Sequence, residues 1–177
     1  MVRAAIRAGL DAMVLTDHDR PAPPARLARL NAKFAPFRVF GGIEVSIVEG
    51  EHVSVLGLQD ARLGSMDWSY PDLHAYVRER GGYLMLNHPF RYVPHLRIDV
   101  ERYPPDGIEA YSNNTPVEDE ERILALAARV GIQVLSNSDA HHVDRIGAYW
   151  NELSAEPGDD AELVAALRNG VAVGSRG

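Results

Sequence analysis

Three short apolar runs in this chain each stop at a cluster of histidine and carboxylate side chains. That pattern constrains the fold more than any other feature. Met13-Val14-Leu15 leads into Asp17-His18-Asp19, Leu84-Met85-Leu86 into Asn87-His88, and Val134-Leu135 into Ser138-Asp139-Ala140-His141-His142. Short apolar runs bounded by polar residues suit buried strands. Between them lie segments with helical spacing and stop signals: 2–8 before Gly9, 70–80 with Pro71 in its first turn, 117–130 before Gly131, and 161–169 before Gly170. Further strands are predicted over 38–48, 53–58, 107–111 and 171–173, and a further helix over 22–31. Strands alternating with helices predict βαβ units and a mostly parallel sheet, open or closed into a barrel. The 177 residues are short of the roughly 250 of an eight-stranded βα barrel. A parallel α/β chain is also expected to start on a strand, whereas this one starts on a helix, so one strand is read as missing at the N-terminus.

Functional side chains of parallel α/β folds come from the carboxyl ends of the strands. Three strands therefore deliver His or Asp to one face of the sheet. Glu44 adds a carboxylate inside the apolar segment Gly42-Ile43-Glu44-Val45, where burial is costly unless the charge is paired or binds a metal. The chain has no cysteine, which removes disulfides, thiolate nucleophiles and thiolate metal sites. Imidazole and carboxylate donors without thiolate suit Zn²⁺, Mn²⁺ or Fe²⁺. A pair of such ions lowers the pKa of a bound water and clamps both oxygens of a displacement.

Composition narrows the partners. With 46% hydrophobic and 24% charged residues, the chain can bury a core as one domain. A net charge of −7 argues against binding a nucleic-acid backbone, leaving nucleic acid only as a small nucleotide substrate. No apolar stretch reaches a membrane span and no secretory leader is visible, so a soluble cytoplasmic protein with a small-molecule substrate and no membrane partner is expected. A lone His at a strand end is more often a cap or a surface residue, and the convergence of three such ends is what points to a metal. His52 is the weaker candidate, because it precedes its strand rather than following it. His74 and His95 read as structural, and His142 should point away from its neighbour His141. The acidic run 118–121 reads as a solvated first helical turn.

The segments Leu15-Thr16-Asp17-His18-Asp19, Gly42-Ile43-Glu44-Val45-Ser46, Leu86-Asn87-His88-Pro89-Phe90 and Ser136-Asn137-Ser138-Asp139-Ala140-His141 together resemble the PHP (polymerase and histidinol phosphatase) family. The stretches 50–57 and 109–113 are similar to a branch that includes carbamate and ester hydrolases beside phosphoesterases. The resemblance implies an α/β fold, a distorted (β/α)7 TIM-like barrel lacking the first strand, as a single domain over 1–177. It implies two or three divalent ions at the carboxyl-end face. His18 resembles a ligand of the third ion, with His141 beside it. Glu44 resembles the carboxylate bridging the first two, His52 and His88 resemble ligands of the second, and Asp139 a ligand of the first. Asp17 resembles a residue that orients a ligand or a bound water. The family's opening His-x-His strand does not precede Met1, which leaves the set around Glu44, His52 and His88 as the most complete.

The expected function is a metal-dependent hydrolase, a phosphoesterase for a small phosphorylated molecule or nucleotide. Arg91, three residues after His88, is placed as a bidentate holder of the phosphate. The rival expectations are a degenerate, non-catalytic metal-binding module and a carbamate or ester hydrolase of the same family. An amidohydrolase-type barrel is disfavoured, because the chain's one lysine, Lys33, lies outside the motifs.

Overall fold

The computed structural model describes residues 1–176. It opens with α1 (Val2–Arg7) and β1 (Ala12–Leu15), followed by α2 (Pro24–Phe34), β2 (Arg38–Ser46) and β3 (His52–Leu56). Next come α3 (Tyr70–Glu79), β4 (Tyr83–Leu86), β5 (Gly107–Tyr111), α4 (Glu120–Val130) and β6 (Gln133–Ser136). The chain closes with β7 (Tyr149–Leu153), α5 (Asp160–Arg168) and β8 (Val171–Ser175).

Local chemistry sets the helix ends. Ser69 caps α3 by accepting the Asp72 N–H at 3.3 Å, and Pro71 sits in the first turn, where its missing N–H costs nothing. Asp159 caps α5 by accepting the Glu162 N–H at 2.9 Å. Gly131 ends α4 at φ +77° and returns its N–H to Ala127, a conformation that glycine adopts without steric cost.

Strands β1 to β6 form one curled sheet in sequence order, a half-barrel, and β7 and β8 form a separate antiparallel pair. The pairs β1–β2, β4–β5 and β5–β6 are parallel, whereas β3 is antiparallel to both neighbours. The sheet is mostly parallel, as expected, with β3 as the exception. The short turn at 49–51 cannot carry a crossover, so β3 doubles back on β2 as a hairpin. Strand β7 was not anticipated, because Asn151 and Glu152 break its apolar pattern. The predicted helix over 117–130 begins as a 3₁₀ turn at Val117–Asp119.

The central strands are buried almost throughout, and successive side chains alternate between two cores, one on each face of the sheet. On one face Ile43, Val55, Leu84, Leu86 and Ile108 pack with Leu73 and Val77 of α3 and Ile123 of α4. On the other, Phe40, Leu56, Met85 and Leu135 pack with Leu163 and Leu167 of α5. The carboxyl ends of β1, β2, β4, β5 and β6, and the start of the reversed β3, lie along one edge of this frame.

Candidate metal centre

Glu44 is the hub of that edge. It is 5% exposed, on a strand whose residues 39–45 are all buried. The β1–β2 ladder continues beyond β1, with a parallel bridge between His18 and Glu44. The Glu44 N–H donates to the Asp17 carbonyl, and the Asp19 N–H donates to the Glu44 carbonyl. This register brings His18 Nε2 to 3.8 Å from Glu44 Oε2. His52 pairs with Ser46 at the start of β3, and its Nδ1 lies 3.0 Å from Glu44 Oε1. His88, just past β4, places Nε2 at 3.3 Å from the same oxygen. His18 and His88 each set a ring about 5 Å from that of His52, the centroids lying 5.0 and 5.1 Å away.

A carboxylate among three imidazoles stays ionised. Burial pushes the Glu44 pKa up, but the adjoining His52 and His88 rings and the charge on His18 outweigh it and hold the group well below the usual carboxylate range. Burial works against a charged His88, yet Glu44 and the nearby carboxylates of Glu109 and Asp139 raise its pKa above the ordinary histidine value. Glu109 on β5 is pushed up to about 7 by burial, partly offset by hydrogen bonds from Asn137 and Ser112.

The donor set fits a divalent ion. His18, Glu44 and His52 each offer an atom within 4.8 Å of the others. His52 Nδ1 is buried, and although 3.0 Å from Glu44 it has no hydrogen-bond partner, since the contact has the distance of a hydrogen bond but not its direction. Asn87 Oδ1, on the residue before His88, is likewise buried and unpartnered. Orphaned buried acceptors are uncommon in folded proteins and call for a ligand or a proton.

Asp139 and His141, beyond β6, stand next to this cluster. Their side chains share with His18 and Glu44 the wall of a cavity of about 530 Å³. The His141 ring is 6.4 Å from that of His18. Asp139 Oδ2 accepts Asn114 Nδ2 at 2.5 Å, and Oδ1 lies 3.7 Å from His141 Nδ1. Arg91 stands beside Asp139 rather than beside Glu44, with Nη1 at 4.0 Å from Asp139 Oδ2 and Nη2 donating to Asn114 Oδ1 at 3.4 Å. The Asp17 carboxylate is exposed and faces Arg26 Nη1 at 3.5 Å. Its neighbour Asp19 is the acid drawn into the edge, accepting the Ser46 N–H and hydroxyl at 2.8 Å each.

Three features were not singled out in the sequence. Glu109 is buried and accepts the His88 backbone N–H. Asn114 holds Asp139. Tyr92 sets its exposed ring against His52 and His88 at 5.7 and 5.8 Å. The backbone adds a signal of its own: His88 at φ +26°, Asp139 at +41° and Asp19 at +49° all sit in the left-handed region. Strain of that kind gathers at functional sites, because only a strongly determined surrounding holds it.

The family model described as PHP-associated matches residues 118–172, a span that runs from the start of α4 through Asp139 and His141 into β8. No curated protein matches the chain in sequence. Solved structures share its fold. A two-domain protein from Bacteroides vulgatus containing a predicted PHP-like metal-dependent phosphoesterase superposes with TM-score 0.69 at 15% identity, over 97% of this chain and 60% of that one. A protein from Bifidobacterium adolescentis proposed to be a metal-dependent phosphoesterase gives 0.66 at 17% identity, over 97% and 90%. An amidohydrolase from Chromobacterium violaceum, solved with sulfate and no metal, gives 0.63 at 19% identity, over 82% of each chain. The PHP-associated match thus covers the segment that carries Asp139 and His141, and the fold of the whole chain is similar to that of these neighbours.

Proposed function

We propose that the chain is a metal-dependent hydrolase whose substrate is a small phosphoester, working on a half-barrel of the (β/α)7 PHP type. The observation that carries this reading is the convergence of His18, His52 and His88 on one buried, ionised carboxylate, with His52 Nδ1 left unpartnered. Glu44 supplies the negative charge and His18, His52 and His88 the nitrogen donors. A divalent ion held there lowers the pKa of a water molecule and screens charge on a phosphoryl oxygen. Arg91, beside Asp139 at the rim, offers two N–H groups to a phosphate. Asn114 keeps Asp139 oriented toward the same cavity. Zn²⁺, Mn²⁺ and Fe²⁺ suit this donor set.

Elemental analysis of the purified chain, with a substrate panel of phosphomonoester, phosphodiester, carboxyl ester and carbamate, tests the proposal. The expected result is about one tightly held divalent ion per chain, as the one such group among the described residues, His18–Glu44–His52, suggests. Phosphoester hydrolysis should be lost on chelation and restored by that ion. Hydrolysis that survives chelation would refute it. A preference for the carboxyl ester or carbamate would move the substrate class toward the likeness with the amidohydrolase. A bound ion without turnover would favour the metal-binding module, a reading supported by Asp139 being already engaged by Asn114 and Arg91.

A further inference from the structure

The deepest carboxylate at this edge is not one of the candidate ligands. Glu109 is 2% exposed, and both of its oxygens are engaged. Oε1 accepts the backbone N–H of His88 at 3.3 Å, and Oε2 accepts Asn137 Nδ2 at 3.0 Å. These partners belong to the two segments whose candidate ligands have left-handed backbones, His88 itself and Asp139, two residues after Asn137. A side-chain-bearing residue keeps that conformation only where its surroundings over-determine it.

The direction of the hydrogen bonds is set by the backbone. Asn151 on β7 accepts the Ser136 N–H at Oδ1, 3.0 Å away, and donates Nδ2 to the Ser136 carbonyl at 2.7 Å, so its amide cannot be reversed. The same Nδ2 donates to Asn137 Oδ1 at 3.1 Å. Asn137 must therefore turn its own Nδ2 toward Glu109, which meets a donor on each oxygen. Each link is oriented, from β7 through the β6 loop to β5 and on to the peptide of His88.

We infer that Glu109 is a positioning residue of the metal centre: through Asn137 and Asn151 it forms a directed relay that holds the His88 peptide and the segment bearing Asp139 in their ligating conformations. The inference rests on the reading that this site binds a divalent ion. It adds that the geometry of two ligand segments depends on a group that touches neither the ion nor the substrate. Removal of such partners typically costs 10–100-fold in metal affinity.

Cobalt(II) titration of the full chain tests it, because the visible bands of the bound ion report coordination geometry as well as affinity. Glu109→Gln keeps the shape but puts a donor against Asn137 Nδ2 or against the His88 N–H. It should weaken cobalt binding by about 10–100-fold and alter the bands. The double variant Glu109→Gln/Asn137→Asp exchanges acid and amide along the relay, so that every donor again meets an acceptor, and should recover wild-type affinity and spectrum. A merely structural role would lower the melting temperature without a spectral change and without rescue. Asn151→Asp removes the donor to Asn137 Oδ1 at a distance from the ion. It should shift affinity in the same direction, which keeps the test available if Glu109→Gln does not fold. Wild-type affinity and spectrum in either single variant, or no recovery in the double variant, would overturn the relay while leaving the metal reading intact. A wild-type chain that takes up no cobalt would overturn both.

Discussion

At the residue scale the centre depends on one carboxylate and on the histidines that meet it. His88 is 4% exposed and contacts Glu44 Oε1, whereas Asp139 is occupied by Asn114 and Arg91. His88→Ala should therefore abolish tight ion binding, a loss larger than the roughly 10–100-fold of an outer partner. Asp139→Ala should cost less. Isothermal titration of both variants with Zn²⁺ or Mn²⁺ checks the order, and equal losses would mean that Asp139 is a direct ligand of the same ion. Most of these residues were legible because imidazoles and carboxylates at the ends of apolar runs have few cheap alternatives to pairing or ligation. Glu109 was not, since a single carboxylate in a predicted strand gives no sign of what it will meet across the sheet. Asp17 and Asp19 flank His18 symmetrically in sequence, and only the turn after β1 decides that Asp19 meets Ser46 while Asp17 meets Arg26.

Among the elements, β3 is the one whose direction matters most to the site. Because it runs antiparallel to β2, its first residue stands at the edge where the other strands end, so His52 reaches Glu44 from the beginning of a strand. The helices supply the rigid backing. Ile123 of α4 is fully buried against the outer face of the sheet. Ile123→Ala should cost about 2–5 kcal/mol through lost burial and the cavity left behind. That is roughly 2–4 °C of melting temperature per kcal/mol for a domain of this size. Urea unfolding checks it, with ion stoichiometry expected to stay at the wild-type value. A loss below about 0.5 kcal/mol, the range of surface substitutions, would mean that α4 does not close that face.

For the molecule as a whole, two buried phenols set an alkaline limit. Tyr70 donates to the Tyr103 carbonyl at 2.9 Å and Tyr83 to Gln133 Oε1 at 2.7 Å. Burial, helped by the charge of Asp106, raises both pKa values above the ordinary tyrosine value. Unfolded tyrosines ionise near about 10. The folded chain holds these two protons to higher pH, so the stabilisation is complete below about 10 and falls as pH rises beyond it. Melting temperature against pH should thus be level on this account up to about 10 and then decline. Tyr83→Phe should lose about 1 kcal/mol at neutral pH with the Gln133 hydrogen bond, and then decline less steeply. An alkaline limb as steep as wild type would show that Tyr83 does not hold its proton.

The sequence alone determined the kinds of element and the residues at their ends, because apolar periodicity, caps and stop glycines act over a few neighbouring residues. It also determined that thiolate chemistry is absent and that histidines and acids would gather along one edge. The tertiary structure alone decided the direction of β3, the existence of β7, the engagement of Asp139 by Asn114 and the contact of Glu109 with the His88 backbone N–H. Each depends on strand pairing and side-chain contact between residues far apart in the chain, and a local pattern carries no information about which distant partner a strand or a carboxylate will find.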